Sequence, residues 1–417
     1  MLRTMAGKTA RSKQSHLTLL KNNPPSRKDQ RYFSTRPDHS EKQGIALRQL
    51  KAQTIGSGPT FFHDGGKRES TPSPINFSQP LFVDIEQSRL AFCEATWNRL
   101  NLVTPLLMSF QARGIGDFVR ESGAGNFNTA VHTLIHASRV MLCTGFNVAE
   151  NMPETDGPLG TALLAYACFR AGKYVVLVAD HHNAHLVREQ LILLDPACAR
   201  NMQIEEVKAD GQAYCDLWKD IIDRHQPDAV VHTEVPGRNK DDKYLNMRGI
   251  KINNFNATLD EIANLANTRG IHTIGVGDGG NEAGMGRIKG VPKALNEEEM
   301  QAVIPAAHQV IAWNSNLGAI ALGEFVMSAA GKGPSCTGKD FEGMLKILFK
   351  EGAVDGVTRG KKLDEKVENP ASAGHYNFTC VDGARSDIHI GNLLQIQDIA
   401  HNVPLTFPVS AGKKAIF

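Results

Sequence analysis

Short apolar runs alternate with longer amphipathic stretches through the middle of the chain. Six such runs predict β-strands, at Arg139–Cys143, Tyr174–Ala179, Gln203–Val207, Ala229–Thr233, Ile271–Val276 and Gln309–Trp313. Between them, apolar residues at helical spacing predict helices at Gly157–Ala171, Ala184–Leu194, Gln212–His225, Leu259–Thr268 and Ser315–Ala330. Apolar strands that alternate with helices are typical of parallel sheets. We therefore predict an α/β fold with a mainly parallel, doubly wound, Rossmann-like sheet and helices on both faces.

The segments on either side of this region differ from it in composition. Residues 37–80 are rich in Pro, Gly, Ser and charge, which predicts a disordered linker. Helical patterns at Asp84–Leu100 and Asn128–Ser138 precede the first strand, and others near Phe341–Lys350 and Ile390–Ile399 follow the last one. We predict one α/β domain over residues 81–417, with a helical lead-in and a C-terminal extension.

A glycine-rich loop follows the fifth predicted strand. Residues 275–286 read Gly-Val-Gly-Asp-Gly-Gly-Asn-Glu-Ala-Gly-Met-Gly and contain six glycines. Gly275-x-Gly277-x-x-Gly280 matches the dinucleotide fingerprint, but that fingerprint requires a helix to begin inside it. The later glycines and Pro292 would break such a helix, and Asp278 and Glu282 would repel phosphate. The pattern favours a loop that holds a small polar molecule, over a nucleotide loop or a plain tight turn.

Polar residues follow every predicted strand except the short third one. Carboxyl ends of parallel strands meet at one edge of the sheet, where ligands bind in open α/β folds. We therefore expect Asp156, Glu234, Asp278 and Glu282 to converge there, together with Arg238 and Arg248. His181 and His182 also follow a strand, but they are better interpreted as exposed or capping residues than as metal ligands.

Charge is distributed unevenly along the chain. The formal net charge is +2, yet residues 1–36 carry nine basic residues and one acidic residue, which leaves a net charge of −6 for the rest. A basic leader that ends in Arg31-Tyr32-Phe33-Ser34-Thr35 predicts a mitochondrial transit peptide over residues 1–36 and a location in the matrix. The alternative is a basic tail that contacts nucleic acid, which an acidic remainder does not support.

Composition excludes several other classes of protein. No apolar run approaches the roughly 20 residues that a membrane-spanning helix needs. The seven cysteines are scattered and form no Cys-x-x-Cys pair, so neither a disulfide framework nor a structural zinc site is indicated. We expect a small-molecule substrate and neither a nucleic-acid nor a membrane partner.

Several ordered sequence blocks resemble those of the D-glutamate cyclase family. The longest runs from Gly277-Asp278-Gly279-Gly280-Asn281-Glu282 to Gly286. The others are Pro153-Glu154-Thr155-Asp156-Gly157-Pro158, Glu234-x-Pro236-Gly237-Arg238, Tyr244-x-Asn246-Met247-Arg248-Gly249, Arg113-Gly114-Ile115-Gly116, Thr144-Gly145-Phe146 and Trp313-Asn314-Ser315-Asn316. The resemblance covers about Gln111 to Gly360. It implies an enzyme, a hydro-lyase that closes D-glutamate to 5-oxo-D-proline with loss of water, in mitochondria in animals.

The clustered residues suit that chemistry. We expect Asp278 and Glu282 to act as the acid/base pair, and Glu234 and Asp156 to orient the substrate ammonium. Arg238 or Arg248 would bind the substrate α-carboxylate, and the backbone N–H groups of Gly279, Gly280 and Asn281 would stabilise the oxyanion. The remaining expected substrate-binding residues are Thr144, Glu154, Asn246, Ser315 and Asn316.

The same acidic residues also allow two alternative interpretations. No cofactor is established by the sequence, but Asp156, Glu234, Asp278 and Glu282 would also suit Mg²⁺ or Mn²⁺, which would activate the γ-carboxylate. The same crevice could instead belong to a catalytically silent sensor of an acidic metabolite or nucleotide.

Overall fold

Six parallel strands form the central sheet of the computed structural model, which describes residues 94–109, 125–291, 293–294, 296–357 and 380–402. The sheet strands are β1 (Arg139–Thr144), β4 (Tyr174–Asp180), β5 (Gln203–Val207), β6 (Ala229–Thr233), β7 (His272–Gly277) and β8 (His308–Ile311), in the order β5-β4-β1-β6-β7-β8. This is the strand order of the Rossmann fold. The predicted fold class is confirmed. The smaller strands are β2 (Asn147–Ala149), β3 (Met152–Pro153), β9 (Cys380–Val381) and β10 (Ala384–Arg385).

The described helices include one at each position that the apolar spacing predicts, together with two short helices, the second and the sixth, that it does not. They are α1 (Glu94–Asn101), α2 (Thr104–Leu107), α3 (Gly125–His136), α4 (Pro158–Arg170), α5 (His181–Leu194), α6 (Pro196–Asn201), α7 (Cys215–His225), α8 (Asp260–Thr268), α9 (Ser315–Ala329), α10 (Gly338–Lys350) and α11 (Ser386–His401). None of these described helices is both long and apolar enough to cross a bilayer. All described residues belong to one unit that spans Ile75–Phe417.

Alternate residues of the central strands β1, β4 and β6 enter different hydrophobic clusters. Val140 and Leu142 of β1 pack with residues of α4 and α9, whereas Met141 and Cys143 pack with residues of α7 and α8. Because successive side chains of a strand point to opposite faces, both faces of the sheet are covered by helices. This alternation explains why the strands read as continuous apolar runs.

Local polar contacts account for the small differences from the predicted bounds. The Asp180 carboxylate accepts hydrogen bonds from the N–H groups of His182 (3.1 Å) and Asn183 (3.3 Å). It therefore caps α5, which begins at His181 and not at the predicted Ala184. The predicted transit peptide and linker, the Gln111–Gly116 blocks and most of the lead-in from Asp84 lie outside the described residues.

Two histidines, the half-buried His272 and the buried His308, lie at the amino ends of β7 and β8, at the sheet edge opposite to the predicted ligand crevice. The His308 ring contacts the hydroxyls of Thr129 (3.1 Å) and Thr133 (3.0 Å) and stacks on His272 with centroids 6.1 Å apart. Burial, reinforced by the neighbouring positive charges, lowers the pKa of His308 to about 3. Burial likewise lowers the pKa of His132 to about 4.

We expect His308 and His132 to contribute a loss of stability as the pH falls from about 6.5 towards 4, a contribution that the buried acids Asp156 and Glu234, whose pKa values are raised, oppose. The folded-state pKa values of these histidines lie below the unfolded value of about 6.5, so in that range the unfolded chain binds more protons and is favoured. Each fully shifted histidine contributes a slope of up to about 1.4 kcal/mol per pH unit. Chemical denaturation at several pH values would measure it. His308→Gln should flatten the slope, whereas His181→Gln at an exposed site should not; equal slopes in both variants would contradict this expectation.

Candidate functional site

The candidate site lies where the strand order of the sheet reverses, between β1 and β6. Ligands bind at this switch point in open α/β sheets because loops on its two sides diverge and leave a crevice. Gly157 marks how closely the loops approach there. A Cβ atom placed on it would lie 2.8 Å from the Glu234 Cβ atom and 2.9 Å from the Thr144 Oγ1 atom. Only glycine leaves room for these two side chains to meet.

The glycine-rich loop wraps around the carboxylate of its own Glu282. The Glu282 Oε1 atom accepts from the N–H groups of Asp278 (3.1 Å) and Gly279 (2.7 Å), and Oε2 accepts from that of Gly280 (2.7 Å). Gly280 has a φ of 88°, which an L side chain rarely adopts. In the described part of the chain no helix begins between Gly277 and Ser315. The loop therefore lacks the helix terminus that a dinucleotide site needs.

Glu234 is held at the end of β6 in a strained backbone conformation. Its φ of 47° lies in the left-handed region, which costs a non-glycine residue roughly 1–3 kcal/mol and is concentrated at functional sites. The Ser315 hydroxyl donates to the Glu234 Oε2 atom at 2.5 Å. Burial raises the pKa of Glu234 well above its ordinary value, and the charges of Glu282 and Asp156 raise it further. Burial and these charges thus favour the protonated form of Glu234.

Asp156 lies against the amino terminus of α9. Its carboxylate accepts from the N–H groups of Ser315 (2.9 Å), Asn316 (2.7 Å) and Gly157 (2.9 Å). These bonds favour the charged form, yet burial and the charge of Asp382 outweigh them, so the pKa of Asp156 is raised well above its ordinary value. Asp156 and Glu234 therefore share an environment in which protons bind unusually tightly.

The structure brings the four predicted acids together in two overlapping triads. One carboxylate oxygen each from Asp156, Asp278 and Asp382 lies within 4.8 Å of the other two, and the same holds for Glu234, Asp278 and Glu282. Asp278 belongs to both triads and is 2% exposed. It therefore stands at the centre of a five-carboxylate cluster.

The two predicted arginines do not share one position. Arg238 forms ion pairs with Asp260 (3.4 Å) and Glu261 on α8, so its guanidinium already has two carboxylate partners. The expectation that Arg238 or Arg248 binds the substrate α-carboxylate stays a prediction, which these ion pairs do not test. Arg248 donates from Nη2 to the Gly356 carbonyl at 3.0 Å. A Cβ atom on Gly356 would lie 2.0 Å from the Glu154 Oε1 atom. Arg248 and Glu154 therefore both lie next to Gly356.

Two backbone amides of the glycine-rich loop bind a carboxylate of the same loop. The N–H groups of Gly279 and Gly280 donate to Glu282, and their oxyanion role stays a prediction. Asn281 ties the loop to its neighbour, because its side-chain amide donates to the Leu245 carbonyl at 2.9 Å. These contacts make Glu282 and Asn281 organisers of the loop.

Other expected substrate-binding residues hold the walls of the crevice in place. Thr144 donates to the Thr233 carbonyl (2.9 Å) and joins the ends of β1 and β6. The Asn316 Oδ1 atom accepts from the N–H groups of Gly157 (2.9 Å) and Gly160 (2.7 Å) at the start of α4. Asn246 accepts from the N–H groups of Arg248 (3.0 Å) and Ile250 (3.1 Å) within its own turn.

Comparison with known proteins agrees with the sequence blocks from which the site is built. Residues 106–367 match the model of a family described as D-glutamate cyclase-like, C-terminal. The chain belongs to this family. It is also similar to the human protein named "D-glutamate cyclase, mitochondrial", with 32% identity over 203 residues that cover 46% of this chain and 33% of the human protein. The match thus spans about a third of that relative.

One acid of the cluster comes from beyond the residues that match the family. Asp382 lies in the short connection between β9 and β10, and sequence reasoning missed it. Its local signal was present, because Asp382-Gly383 between Cys380-Val381 and Ala384 is the pattern of a two-residue hairpin turn. That signal predicts the turn but not the place where the turn packs.

The donor set of the cluster also fits a hard divalent cation. Both triads offer only carboxylate oxygens, which are the ligands that Mg²⁺ and Mn²⁺ prefer over the nitrogen and sulfur donors of softer metals. The predicted metal-binding residues Asp156, Glu234, Asp278 and Glu282 all belong to this set. The site is therefore compatible with either shared protons or a shared ion.

Proposed function

We propose that this chain cyclises D-glutamate to 5-oxo-D-proline with release of water. The observation that carries the proposal is the position of buried Asp278 in two carboxylate triads at the switch point of the sheet. Family membership and the name of the human relative support the choice of substrate. The activity of a whole relative is here assigned to a chain that aligns with about a third of it, so a direct assay is needed.

The reaction requires two protons to move from nitrogen to oxygen. The α-ammonium must lose two protons as its nitrogen bonds to the γ-carboxyl carbon, and one γ-carboxyl oxygen must gain two protons to leave as water. Because both reacting groups belong to one molecule, folding and holding the substrate supplies much of the acceleration; effective molarities of ~10⁵ M or more are known for such reactions. Proton transfer is the remaining task of the protein.

Asp278 and Glu234 are placed to carry these protons. In our proposal Asp278 accepts them from the ammonium, because it lies in both triads and so reaches both sides of the cluster. Glu234, whose pKa is raised by burial and by neighbouring charge, delivers a proton to the departing oxygen. The hydroxyl of Ser315 fixes the Glu234 carboxyl group during this transfer. Glu282, bound to three backbone N–H groups, holds the loop that carries Asp278.

A divalent cation is compatible with this assignment. If Mg²⁺ or Mn²⁺ binds, we propose that Asp156, Glu234, Asp278 and Glu282 hold it, and that it makes the γ-carboxyl group more electrophilic. Exhaustive chelation followed by readdition of each ion would decide the matter. Activity that is undiminished after chelation would remove the cation from the proposal.

Proton NMR of the purified chain with D-glutamate, and separately with L-glutamate, tests the function directly. We expect the D-glutamate resonances to be replaced by those of 5-oxo-D-proline, with L-glutamate consumed much more slowly or not at all. Saturable binding without consumption would instead identify a sensor of acidic metabolites. Neither binding nor consumption of either enantiomer would contradict both interpretations.

We also propose that the chain acts in the mitochondrial matrix. The basic leader that ends in Arg31-Tyr32-Phe33-Ser34-Thr35 supports this location, as does the word mitochondrial in the name of the human relative. A fusion of residues 1–36 to a fluorescent protein should enter mitochondria, and cytosolic fluorescence would contradict the proposal.

A further inference from the structure

A C-terminal hairpin reaches the cluster from outside the matched family region. Strands β9 and β10 pair antiparallel, with Val381 opposite Ala384 and Asp382-Gly383 as the turn. Both turn residues have positive φ, at 50° and 71°. This is the backbone of a type I′ turn, for which Asp-Gly is a preferred sequence. The turn therefore fixes the backbone conformation of Asp382, and with it the direction in which its side chain leaves the backbone.

Contacts from two other segments hold this hairpin. The Asp355 carboxylate accepts from the Gly383 N–H group at 3.1 Å. On α11, the His389 ring lies 3.1 Å from the Val381 carbonyl and packs against Trp313, with ring centroids 5.0 Å apart. The hairpin is thus fixed from both sides, by the segment after α10 and by the helix that follows it.

Asp382 itself is fixed next to the amino terminus of α9. The Asn314 side-chain amide donates to the Asp382 Oδ2 atom at 2.8 Å. A carboxylate oxygen of Asp382 lies within 4.8 Å of oxygens of both Asp156 and Asp278. The negative charge of Asp382 acts on Asp156, because it contributes to the raised pKa of Asp156.

The two triads differ in the number of chain segments that supply them. In the triad with Glu234, Asp278 and Glu282 belong to one loop, whose backbone N–H groups the Glu282 carboxylate binds. Asp156 in the other triad likewise accepts from three backbone N–H groups. The triad of Asp156, Asp278 and Asp382 gathers three carboxylates from three separate segments of the chain. An ammonium group has three N–H donors and one positive charge, which complement three converging carboxylates.

We propose that Asp382 is a substrate-binding residue that recognises the substrate ammonium group together with Asp156 and Asp278. This inference rests on the proposed function for the identity of the substrate, an amino acid with a free amine. It makes the C-terminal hairpin part of the specificity of the site, selecting an amino dicarboxylate over a plain dicarboxylate.

Two unreactive ligands separate recognition of the amine from recognition of the distal carboxylate. D-Norvaline has the α-ammonium but lacks the γ-carboxyl group, and glutarate has two carboxylates but no amine, so neither can cyclise. Ligand-observed NMR would measure the affinity of the full chain for each. We expect Asp382→Asn to weaken D-norvaline binding by about 10-fold or more, since a charge-assisted bond is lost. Glutarate should bind unchanged or more tightly, because one repelling charge is removed.

Asp387→Asn is the matched control. Asp387 is exposed, lies just beyond the hairpin and pairs with Arg385 at 2.9 Å, so its replacement should change neither affinity. Circular dichroism would verify the fold of each variant, and Asp382→Ser, a residue also suited to turns, would replace Asp382→Asn if that variant unfolds. Equal weakening of both ligands would show a purely structural role and overturn the inference, as would no change in D-norvaline binding.

The outcome is independent of turnover. If the wild-type chain binds D-norvaline through Asp382 but leaves D-glutamate unconsumed, the proposed function fails and the ammonium site stands. If D-glutamate is consumed and Asp382→Asn binds D-norvaline normally, the function stands and the ammonium site fails. Titration with Mg²⁺ alone completes the test: weaker binding of Mg²⁺ by Asp382→Asn, with D-norvaline binding unchanged, would also overturn the assignment.

Discussion

Glu234→Gln should lower kcat for D-glutamate cyclisation by about 10²–10⁴-fold, the range that a positioned general acid contributes. Glutamine has the shape of the protonated acid but has no proton to deliver to the departing oxygen. It can still accept the Ser315 hydrogen bond that holds Glu234 at 2.5 Å. We therefore expect KM and the free energy of unfolding to change little, the latter by no more than about 1 kcal/mol. Progress curves by NMR and chemical denaturation measure the two quantities.

A glutamate outside the site provides the control for this variant. Glu299 is half exposed and pairs with Lys240 at 2.7 Å, so Glu299→Gln should leave kcat unchanged. Full activity of Glu234→Gln would remove Glu234 from proton transfer. An equal loss in both variants would point to a general effect of altered charge.

Glu282→Gln should have its largest effect on stability. Its carboxylate accepts from three backbone N–H groups of the glycine-rich loop, and a glutamine amide would present its own N–H donors to one or two of them. Loss of charge-assisted bonds in a buried site costs roughly 2–4 kcal/mol. We expect the free energy of unfolding to fall by about that amount, and turnover to fall because the loop that carries Asp278 is displaced.

This variant distinguishes two roles for Glu282. The sequence predicted that Glu282 is half of the acid/base pair, and in that case Glu282→Gln would abolish turnover without loss of stability. Glu298→Gln serves as the control, because Glu298 is half-buried, lies outside the cluster and pairs with Lys243 at 3.3 Å. Unchanged stability together with lost turnover would restore the role that the sequence predicted.

The sheet and the edge at which the acids meet were predictable because both depend on local patterns. Gln203–Val207 and Ala229–Thr233 have the bounds that their apolar residues predict. Once the strands are parallel, the residues that follow them must meet at one edge, so Asp156, Glu234 and Asp278 converge as expected. Strand periodicity and topology were sufficient for this part of the site.

The contacts that individual side chains make were not predictable in the same way. Arg238 ends the Glu234-x-Pro236-Gly237-Arg238 block, yet its guanidinium pairs with Asp260 and Glu261 of a helix that begins many residues later. The Glu282 carboxylate turns back onto its own loop because Gly280 adopts a positive φ. Sequence spacing carries the residue type and its approximate place, but side-chain direction depends on backbone angles and on distant partners.

The contribution of Asp382 to the carboxylate cluster was missed for a related reason. The Asp382-Gly383 pair signals a turn, but the contacts that place it come from Asp355, Asn314 and His389, which lie in three different segments. Nothing in the local pattern of any one segment indicates that they meet. Only the folded chain shows that the cluster has a fifth carboxylate.

The central claim is that distant acidic residues form one buried reaction site at the switch point of the sheet. A crystal structure of the chain with bound 5-oxo-D-proline tests it most directly. The account predicts the product ring between the carboxyl ends of β1, β6 and β7, with polar atoms within hydrogen-bonding distance of Asp278 and Glu234. Product bound elsewhere, for example in the groove between α7 and α8 that Trp218 and Leu265 line, with the acidic cluster left to solvent, would contradict it.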